Sequence, residues 1–359
     1  MARLTGLSRR LYQLARPFPT AEQTPVRRGR GPLKLVIILD GTMSSLEPGK
    51  ETNAGLAFRL LSEVPGVAVY YEAGLQWHDW RATRDVMLGR GINRQIRRAY
   101  GWLASRYHPG DQVFLVGYSR GAFAVRSLSG VIDRVGLLRG EEATERNIQT
   151  AYRHYQAGEE GDIQEAFAKA YCHKRVEING VFVWDTVKAL GFRVPLLWRW
   201  MAETHAFHDH AIGPSILAGF QALAADETRL AFEPVLWTTG EETKARVEQL
   251  WFPGTHGDIG GQLGGFQPAR KLSNLAFVWM MEKLEECGLS LPAGWQARYP
   301  VDFHAPSVGT WGGTGKLFLL RSQRQIGNDS SDKIHEAVAF RNARARRRVW
   351  RVWRARRSF

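Results

Sequence analysis

The chain has 359 residues, of which 44% are hydrophobic and 23% are charged. This length fits one large domain, or one domain with an embedded cap, and the composition excludes a chain that is disordered throughout. Two cysteines, Cys172 and Cys287, are too few for a disulfide framework or a four-cysteine zinc site. No apolar run approaches the roughly 18 residues that a membrane-spanning helix needs.

The net charge of +14 is concentrated at the two ends of the chain. Residues 1–32 carry +6 and residues 341–359 carry +9, which leaves the body, residues 33–340, at −1. A strongly basic protein suggests a nucleic-acid partner, but a nearly neutral body does not. We therefore expect no specific nucleic-acid partner, and the two arginine-rich ends need their own explanation.

Residues 1–32 are predicted to form a basic tail and linker. Leucines at helical spacing in residues 1–16 are interrupted by arginines, so the apolar core of a secretory signal is missing. An arginine-rich segment with almost no acids is also typical of a transit peptide. We expect a cytoplasmic or peripheral membrane location, or secretion by a route that needs no signal peptide.

Predicted strands and helices alternate along the body. The predicted strands are Leu33–Leu39, Val67–Tyr71, Gln112–Val116, Val176–Trp184 and Val247–Phe252. Helical spacing is found in Thr52–Val64, in Gly91–Tyr107, after Gly121 to about Asp133, in the polar stretch 141–173 and in Lys271–Cys287. This alternation predicts an α/β fold with a mainly parallel sheet and helices on both faces. An aromatic- and histidine-rich stretch is predicted to be a helical cap insertion at about 190–225.

Each notable turn follows a predicted strand. The turns are Asp40-Gly41-Thr42, the turn at Ser119, the turn at Asp185 and the turn at His256. Because ligands of parallel sheets bind beyond the carboxyl ends of the strands, we expect these residues to share one site.

The segment Gly117-Tyr118-Ser119-Arg120-Gly121 fits the G-x-S-x-G nucleophile elbow. It follows a strand-like run and precedes a helix, which is the context that the motif requires. Small residues two positions either side of Ser119 permit the sharp turn that exposes its Oγ. The alternative is a tight turn without a catalytic role.

A serine nucleophile needs a base, and the base needs an orienting carboxylate. His256 is the best candidate base because it follows a late strand in a glycine-rich stretch; the alternative is a loop histidine satisfied by local hydrogen bonds. Asp185 is the best candidate acid because it ends a strand between Ser119 and His256. Asp226 and Asp258 are rivals, although Asp258 is better suited to brace its own loop.

The oxyanion of the reaction needs two backbone donors. We expect one from Arg120 and the second from Gly41 or Thr42. Asp40 would support this first loop, or merely stabilise its own turn. His205, His208, Asp209 and His210 are dense enough to bind a metal, but no ligand set closes, so no metal or cofactor is expected.

These motifs together resemble the uncharacterised α/β-hydrolase domain family that includes the phospholipase effectors of type VI secretion, with a Tle1-like catalytic domain. The matching segments are Leu39–Thr42, Thr52-Asn53, Gly89–Gly91, Pro109–Asp111, Gly117–Phe123, Val183–Val187 and Trp251–Gly261. The resemblance covers roughly residues 33–340 and implies an α/β-hydrolase fold with Ser119, Asp185 and His256 as the triad. The family often has Trp-Asn after the first turn, where this chain has Met43-Ser44.

The C-terminal tail, residues 341–359, combines arginines with Trp350 and Trp353. Val349, Trp350, Val352 and Trp353 share one face of a predicted helix with arginines opposite, which is typical of a helix lying on an anionic membrane surface. The alternative is a solvated tail, or one that binds nucleic acid non-specifically.

The sequence favours a serine hydrolase of carboxylic esters, with a lipid or small ester as its substrate and phospholipid or other lipid acyl esters preferred. One alternative is a membrane- or nucleic-acid-binding protein with an inactive hydrolase body. Another is an esterase or thioesterase with a non-lipid substrate.

Overall fold

A computed structural model describes residues 31–74, 90–158, 161–187, 211–311 and 318–341. The basic N-terminal tail, nearly all of the C-terminal tail, the His205–His210 cluster and most of the predicted cap lie outside the described residues. In the part of the chain that is described, no helix is long and apolar enough to cross a membrane.

Seven parallel strands form the sheet of the described residues. They are β1 (Lys34–Leu39), β2 (Val67–Glu72), β3 (Gln112–Tyr118), β4 (Gly180–Trp184), β5 (Ala218–Ala224), β6 (Arg246–Phe252) and β7 (Asp332–Ile334). Their spatial order is β2-β1-β3-β4-β5-β6-β7. The chain moves from β1 outward to β2 and then crosses back to β3, so the strand order reverses between β1 and β3. A reversal of this kind is where ligands bind in α/β sheets.

Helices follow the strands, as the alternation predicts. They are α1 (Asn53–Ser62), α2 (Arg90–Ala104), α3 (Arg120–Arg134), α4 (Glu145–Ala157), α5 (Asp162–Tyr171), α6 (His256–Gly260) and α7 (Arg270–Glu286). Short 3₁₀ turns occur at Gly140–Glu142, Leu230–Phe232, Gln267–Ala269 and Trp295–Arg298. The polar stretch 141–173 is two helices, because Gly158 ends α4 in a left-handed conformation.

The hydrophobic core has one layer on each face of the sheet. Alternate residues of β1 belong to different layers: Leu35 and Ile37 lie in the layer that contains residues of α2 and α3, whereas Val36 and Ile38 lie in the layer that contains residues of α1 and α7. All four are fully buried. Burial on both faces explains why β1 is a continuous apolar run rather than an alternating one. The fold is α/β-hydrolase-like, as the sequence predicted.

One predicted boundary is wrong. The sequence predicts a cap at about 190–225, but Ala218–Ala224 is the buried strand β5, paired with β4 and β6. An insertion here therefore ends before β5. The sequence pattern does not predict this strand, because its alanines, glycine and Gln221 have low strand propensity. Burial between two neighbouring strands overrides that low propensity.

Candidate active site

Ser119 occupies a strained turn between β3 and α3. Its backbone has φ 57° and ψ −121°, a conformation that costs a non-glycine residue free energy. The turn is tight on both sides: a Cβ on Gly121 would lie 2.0 Å from the Leu39 carbonyl oxygen, and one on Gly117 would lie 2.7 Å from the Ala122 Cα. The two glycines of the motif are therefore required by close approach of the backbone.

Three of the predicted residues form a continuous hydrogen-bonded chain. Ser119 Oγ lies 2.9 Å from His256 Nε2, and His256 Nδ1 lies 2.6 Å from Asp185 Oδ2. All three side chains are buried. Because an ionised carboxylate can only accept, Nδ1 carries the proton and donates to Asp185, which leaves Nε2 to accept the hydroxyl proton of Ser119. This is the geometry of a nucleophile, its base and an orienting acid.

Asp185 ends β4 with a positive φ of 43°, and its carboxylate is completely paired. Oδ1 accepts from the Ala224 N–H at 3.0 Å and from Arg324 Nη1 at 2.5 Å, while Oδ2 accepts from Arg324 Nη2 at 2.9 Å and from His256. Burial raises the pKa of Asp185, but the Arg324 charge and the His256 hydrogen bond outweigh it and hold that pKa well below its usual range.

His256 is the first residue of α6, and contacts from several segments fix its ring. The Tyr118 ring stacks on the imidazole with centroids 5.0 Å apart, and the Phe232 ring lies 4.7 Å away. The backbone N–H of His256 donates to Glu227 Oε2 at 3.2 Å, and Tyr118 OH donates to the His256 carbonyl at 3.3 Å. The imidazole is therefore held in the orientation that bonds Ser119.

The rival acids bond the loop that precedes α6, not the imidazole. Asp258 Oδ2 accepts from the N–H and the hydroxyl of Thr255 at 2.8 and 2.9 Å, and Oδ1 accepts from the Val308 N–H at 2.9 Å. Asp226 Oδ2 accepts from the Gly254 N–H at 2.7 Å. These two carboxylates brace the loop that carries His256.

Two of the three predicted oxyanion donors remain available. Arg120 is the first residue of α3, where helical N–H groups have no intrahelical acceptor. The Gly41 N–H already donates to Asp40 Oδ1 at 2.6 Å, whereas the Thr42 N–H has no acceptor among the described residues. Gln262 Nε2 holds the Thr42 carbonyl at 2.8 Å. Of the two alternatives, Thr42 is therefore the better second donor.

Asp40 is a buried anchor of the first loop. Its Oδ2 accepts from the Thr52 hydroxyl at 2.6 Å and from Tyr71 OH at 2.8 Å, in addition to the Gly41 bond. Burial raises the pKa of Asp40 to about 6, because removal from water outweighs these hydrogen bonds. Asp40 thus supports the loop that carries Thr42.

We expect Asp40→Asn to remove a pH dependence of stability. Between the ordinary pKa of 3.8 and the folded value of about 6, the folded chain keeps a proton that the unfolded chain has lost. The free energy of unfolding therefore falls by about 3 kcal/mol as pH rises through this window. Urea unfolding at intervals from pH 4 to pH 7 measures the slope; the exposed Asp162→Asn is the matched control, and a slope unchanged in Asp40→Asn would contradict the assignment.

Three supporting residues were missed by the sequence analysis: Glu227, Gln262 and Arg324. Glu227 is fully paired with Arg229, with Nη2 and Oε2 2.6 Å apart, and Gln262 joins the first loop to Tyr118. None of them belongs to a local motif or directly follows a strand. The one available signal was indirect, since a buried aspartate requires a counter-charge.

Among the described residues, no group of three or more His, Cys, Asp or Glu side chains could hold a metal ion.

Comparison with known proteins identifies one family. The model of the catalytic domain of type VI secretion Tle1-like phospholipase effectors matches residues 33–283, which is more than half of the chain. A curated relative, the uncharacterized protein YEL023C of Saccharomyces cerevisiae, is 26% identical over 187 residues, covering 44% of this chain and 27% of that protein.

Solved structures share lower identity with this chain. The Tle1 effector bound to the VgrG spike is 17% identical with a TM-score of 0.37, covering 67% of this chain and 55% of that one. The butyrate-bound esterase Est2 of Thermogutta terrifontis is 13% identical with a TM-score of 0.39, covering 73% and 86%. The chain thus spans about a quarter of the curated relative and about half of the Tle1 effector.

Proposed function

The chain belongs to the family of Tle1-like catalytic domains of type VI secretion phospholipase effectors, and on that premise we propose that it is a serine hydrolase of carboxylic esters, with acyl esters of phospholipids or other lipids as its substrates. One observation carries the proposal: the buried chain of hydrogen bonds from Ser119 Oγ through His256 to Asp185, at 2.9 and 2.6 Å.

The mechanism has two acyl-transfer steps. Ser119 Oγ attacks the acyl carbonyl carbon while His256 Nε2 takes the hydroxyl proton, and Asp185 stabilises the imidazolium. The backbone N–H groups of Arg120 and Thr42 donate to the oxyanion. His256 then protonates the leaving alcohol, and water, deprotonated by the same Nε2, hydrolyses the acyl-enzyme and restores Ser119.

An exposed apolar strap beside His256 supports a lipid substrate. We define the strap as residues 318–320. Its Phe318 packs on Phe232 with ring centroids 5.3 Å apart, and Phe232 packs on His256. Leu319 and Leu320 are 80% and 58% exposed, and the Leu320 carbonyl accepts from the Leu230 N–H at 3.1 Å. Exposed leucines fixed beside a reactive group are suited to contact acyl chains or a membrane surface.

We expect Leu319→Glu to lower activity on anionic phospholipid vesicles by about tenfold, the loss from removing one leucine from an apolar interface and adding a negative charge. Hydrolysis of a short soluble ester should change less than about twofold, because the Leu319 side chain is largely exposed and takes no part in the hydrogen bonds of the triad. Ile163→Glu is the matched control, since Ile163 on α5 is equally exposed at 79%. An equal loss on both substrates, or an equal loss in the control, would argue against the strap as a lipid contact.

Labelling with a fluorophosphonate tests the proposed function itself. The folded protein should form one covalent adduct, on Ser119, and a substrate series of phospholipids, short soluble esters and thioesters then identifies the class that is hydrolysed. Absence of the adduct in folded protein would overturn the proposal in favour of a binding protein with an inactive hydrolase body.

A further inference from the structure

The side chain of Arg324 is almost completely buried beneath the proposed triad. It is 5% exposed, and its two terminal nitrogens bond separate oxygens of Asp185 at 2.5 and 2.9 Å. It lies beyond residue 283, where the match to the family model ends. The side of the Asp185 carboxylate that does not face His256 is therefore occupied by a fixed positive charge.

Two backbone carbonyls fix the plane of the guanidinium. Arg324 Nη1 donates to the Ala224 carbonyl at the end of β5 at 3.0 Å, and Nη2 donates to the Phe232 carbonyl. An arginine bonded in this way presents a rigid fork to the carboxylate. Because the Asp185 carboxylate also accepts from the Ala224 N–H, rotation of this carboxylate would break several hydrogen bonds at once. The carboxylate is thereby locked with Oδ2 toward Nδ1 of His256.

The pairing also changes how strongly Asp185 holds a proton on the imidazole. A buried carboxylate with no counter-charge attracts a proton strongly, so the hydrogen-bonded Asp185–His256 pair would take one up at higher pH. Arg324 shares the negative charge of Asp185 and weakens that attraction. It also keeps Asp185 ionised, since burial alone would raise the pKa of that carboxyl.

We propose that Arg324 is a positioning residue that extends the Ser119–His256–Asp185 chain by a fourth member, orienting Asp185 and supplying the charge that opposes protonation of the Asp185–His256 pair. The inference rests on the proposed hydrolase function. It assigns Arg324 no contact with substrate, so its effect passes through Asp185.

Among the residues that the structure describes, other charged and titratable groups near His256 are neutralised or bonded elsewhere. These described groups around the imidazole are Tyr118, Asp185, Glu227, Arg229, Asp258 and Arg324. Glu227 and Arg229 form an ion pair, and Asp258 bonds Thr255, Ser307 and Val308. Burial raises the pKa of Tyr118 far above neutrality, so it stays uncharged. Asp185 is thus the acid bonded to the ring, and Arg324 is the cation bonded to that acid.

Two substitutions at position 324 separate charge from geometry. In Arg324→Gln, kcat for a short soluble ester should fall by about 10- to 100-fold through lost orientation. The acid limb of the kcat/KM profile should move up by about one pH unit, because the Asp185–His256 pair holds a proton more tightly without the Arg324 charge. Arg324→Lys keeps the charge but not the fork, so its kcat should fall while its acid limb stays close to that of the wild type.

Arg126→Gln is the matched control for loss of a buried arginine. Arg126 donates to the Val235 and Leu236 carbonyls at 2.5 and 3.2 Å, and burial lowers its pKa to about 9. Its removal should lower the Tm without moving the acid limb. A loss of activity in Arg324→Gln with an unmoved acid limb would overturn the proposal and leave Arg324 a purely structural role, and so would an unchanged enzyme.

Failure of the proposed hydrolase can be told apart from failure of this inference. Fluorophosphonate labelling of the wild type at Ser119 decides the first question. Titration of the His256 ring by NMR needs no turnover, so the shift between wild type and Arg324→Gln decides the second even if no ester is hydrolysed. If Arg324→Gln does not fold, an acid limb in Arg324→Lys displaced as far as one unit would still refute the role assigned to the charge.

Discussion

Ser119→Ala should reduce kcat for ester hydrolysis by at least about 10⁴-fold and leave KM within about threefold of the wild type. The hydroxyl oxygen is the only heavy atom that the change removes, and it is the atom that lies 2.9 Å from His256 Nε2. The oxyanion donors are backbone groups and remain. Initial rates on a soluble ester and on phospholipid vesicles measure the effect, and the fluorophosphonate adduct should disappear in parallel.

A stability measurement controls for damage to the fold. Alanine should tolerate the φ of 57° about as poorly as serine does, so the Tm of Ser119→Ala should stay close to that of the wild type. Ser119→Gly should be equally inactive but more stable by about 1 kcal/mol, because glycine adopts this conformation without strain. More than a tenth of wild-type activity in a folded Ser119→Ala protein would contradict the proposed mechanism.

The parts of the fold that could be predicted are those whose residues carry a local pattern. Strands β1, β3 and β4 are buried on both faces, so each reads as an apolar run that ends in a turn. The pattern fails for two strands. The edge strand β7 has only three residues, and β5, which lies between β4 and β6, contains Gln221 in its centre.

Gln221 shows why residue propensities do not identify β5 as a strand. The residue is fully buried, yet its amide is paired: Thr186 Oγ1 donates to Oε1 at 2.5 Å, and Nε2 donates to Gln249 Oε1 at 3.0 Å. A polar side chain inside a sheet is tolerated when distant partners satisfy it. Those partners lie 35 and 28 positions away, so no window around β5 contains the information.

The candidate site also contains some residues that a local pattern predicts and others that only distant contacts bring there. Ser119, Asp185 and His256 were predicted together because each follows a strand and parallel strands end at one edge of the sheet. Arg324 lies 139 positions from Asp185 and follows none of the predicted strands. The choice between Gly41 and Thr42 also depended on one hydrogen bond, from the Gly41 N–H to Asp40, which backbone patterning does not predict. The positions of candidate site residues could be predicted where strand ends bring residues together, and could not be predicted where only contacts between distant parts of the chain do.

Asp185→Asn should have the second large effect, because it damages activity and stability together. We expect kcat to fall by about 10⁴-fold, since a neutral amide neither orients the imidazole as Asp185 does nor stabilises the imidazolium. The free energy of unfolding should drop by about 3–5 kcal/mol, because the buried Arg324 would lose its counter-charge. Denaturant unfolding and steady-state kinetics at neutral pH measure the two losses.

The double variant Asp185→Asn/Arg324→Gln separates these losses. Removing the unpaired guanidinium should recover about half or more of the lost stability and none of the lost activity, so the two stability changes will not add. The pH dependence of stability gives an independent check on the sign of the Asp185 contribution. Because the folded pKa of Asp185 is depressed, its stabilising contribution is present above the ordinary value of 3.8 and is lost only as pH falls below it. Both variants with Asn at position 185 should therefore lose less stability than the wild type on acidification below pH 4. Additive stability changes would mean that the two residues are not energetically coupled, whatever the distance between them.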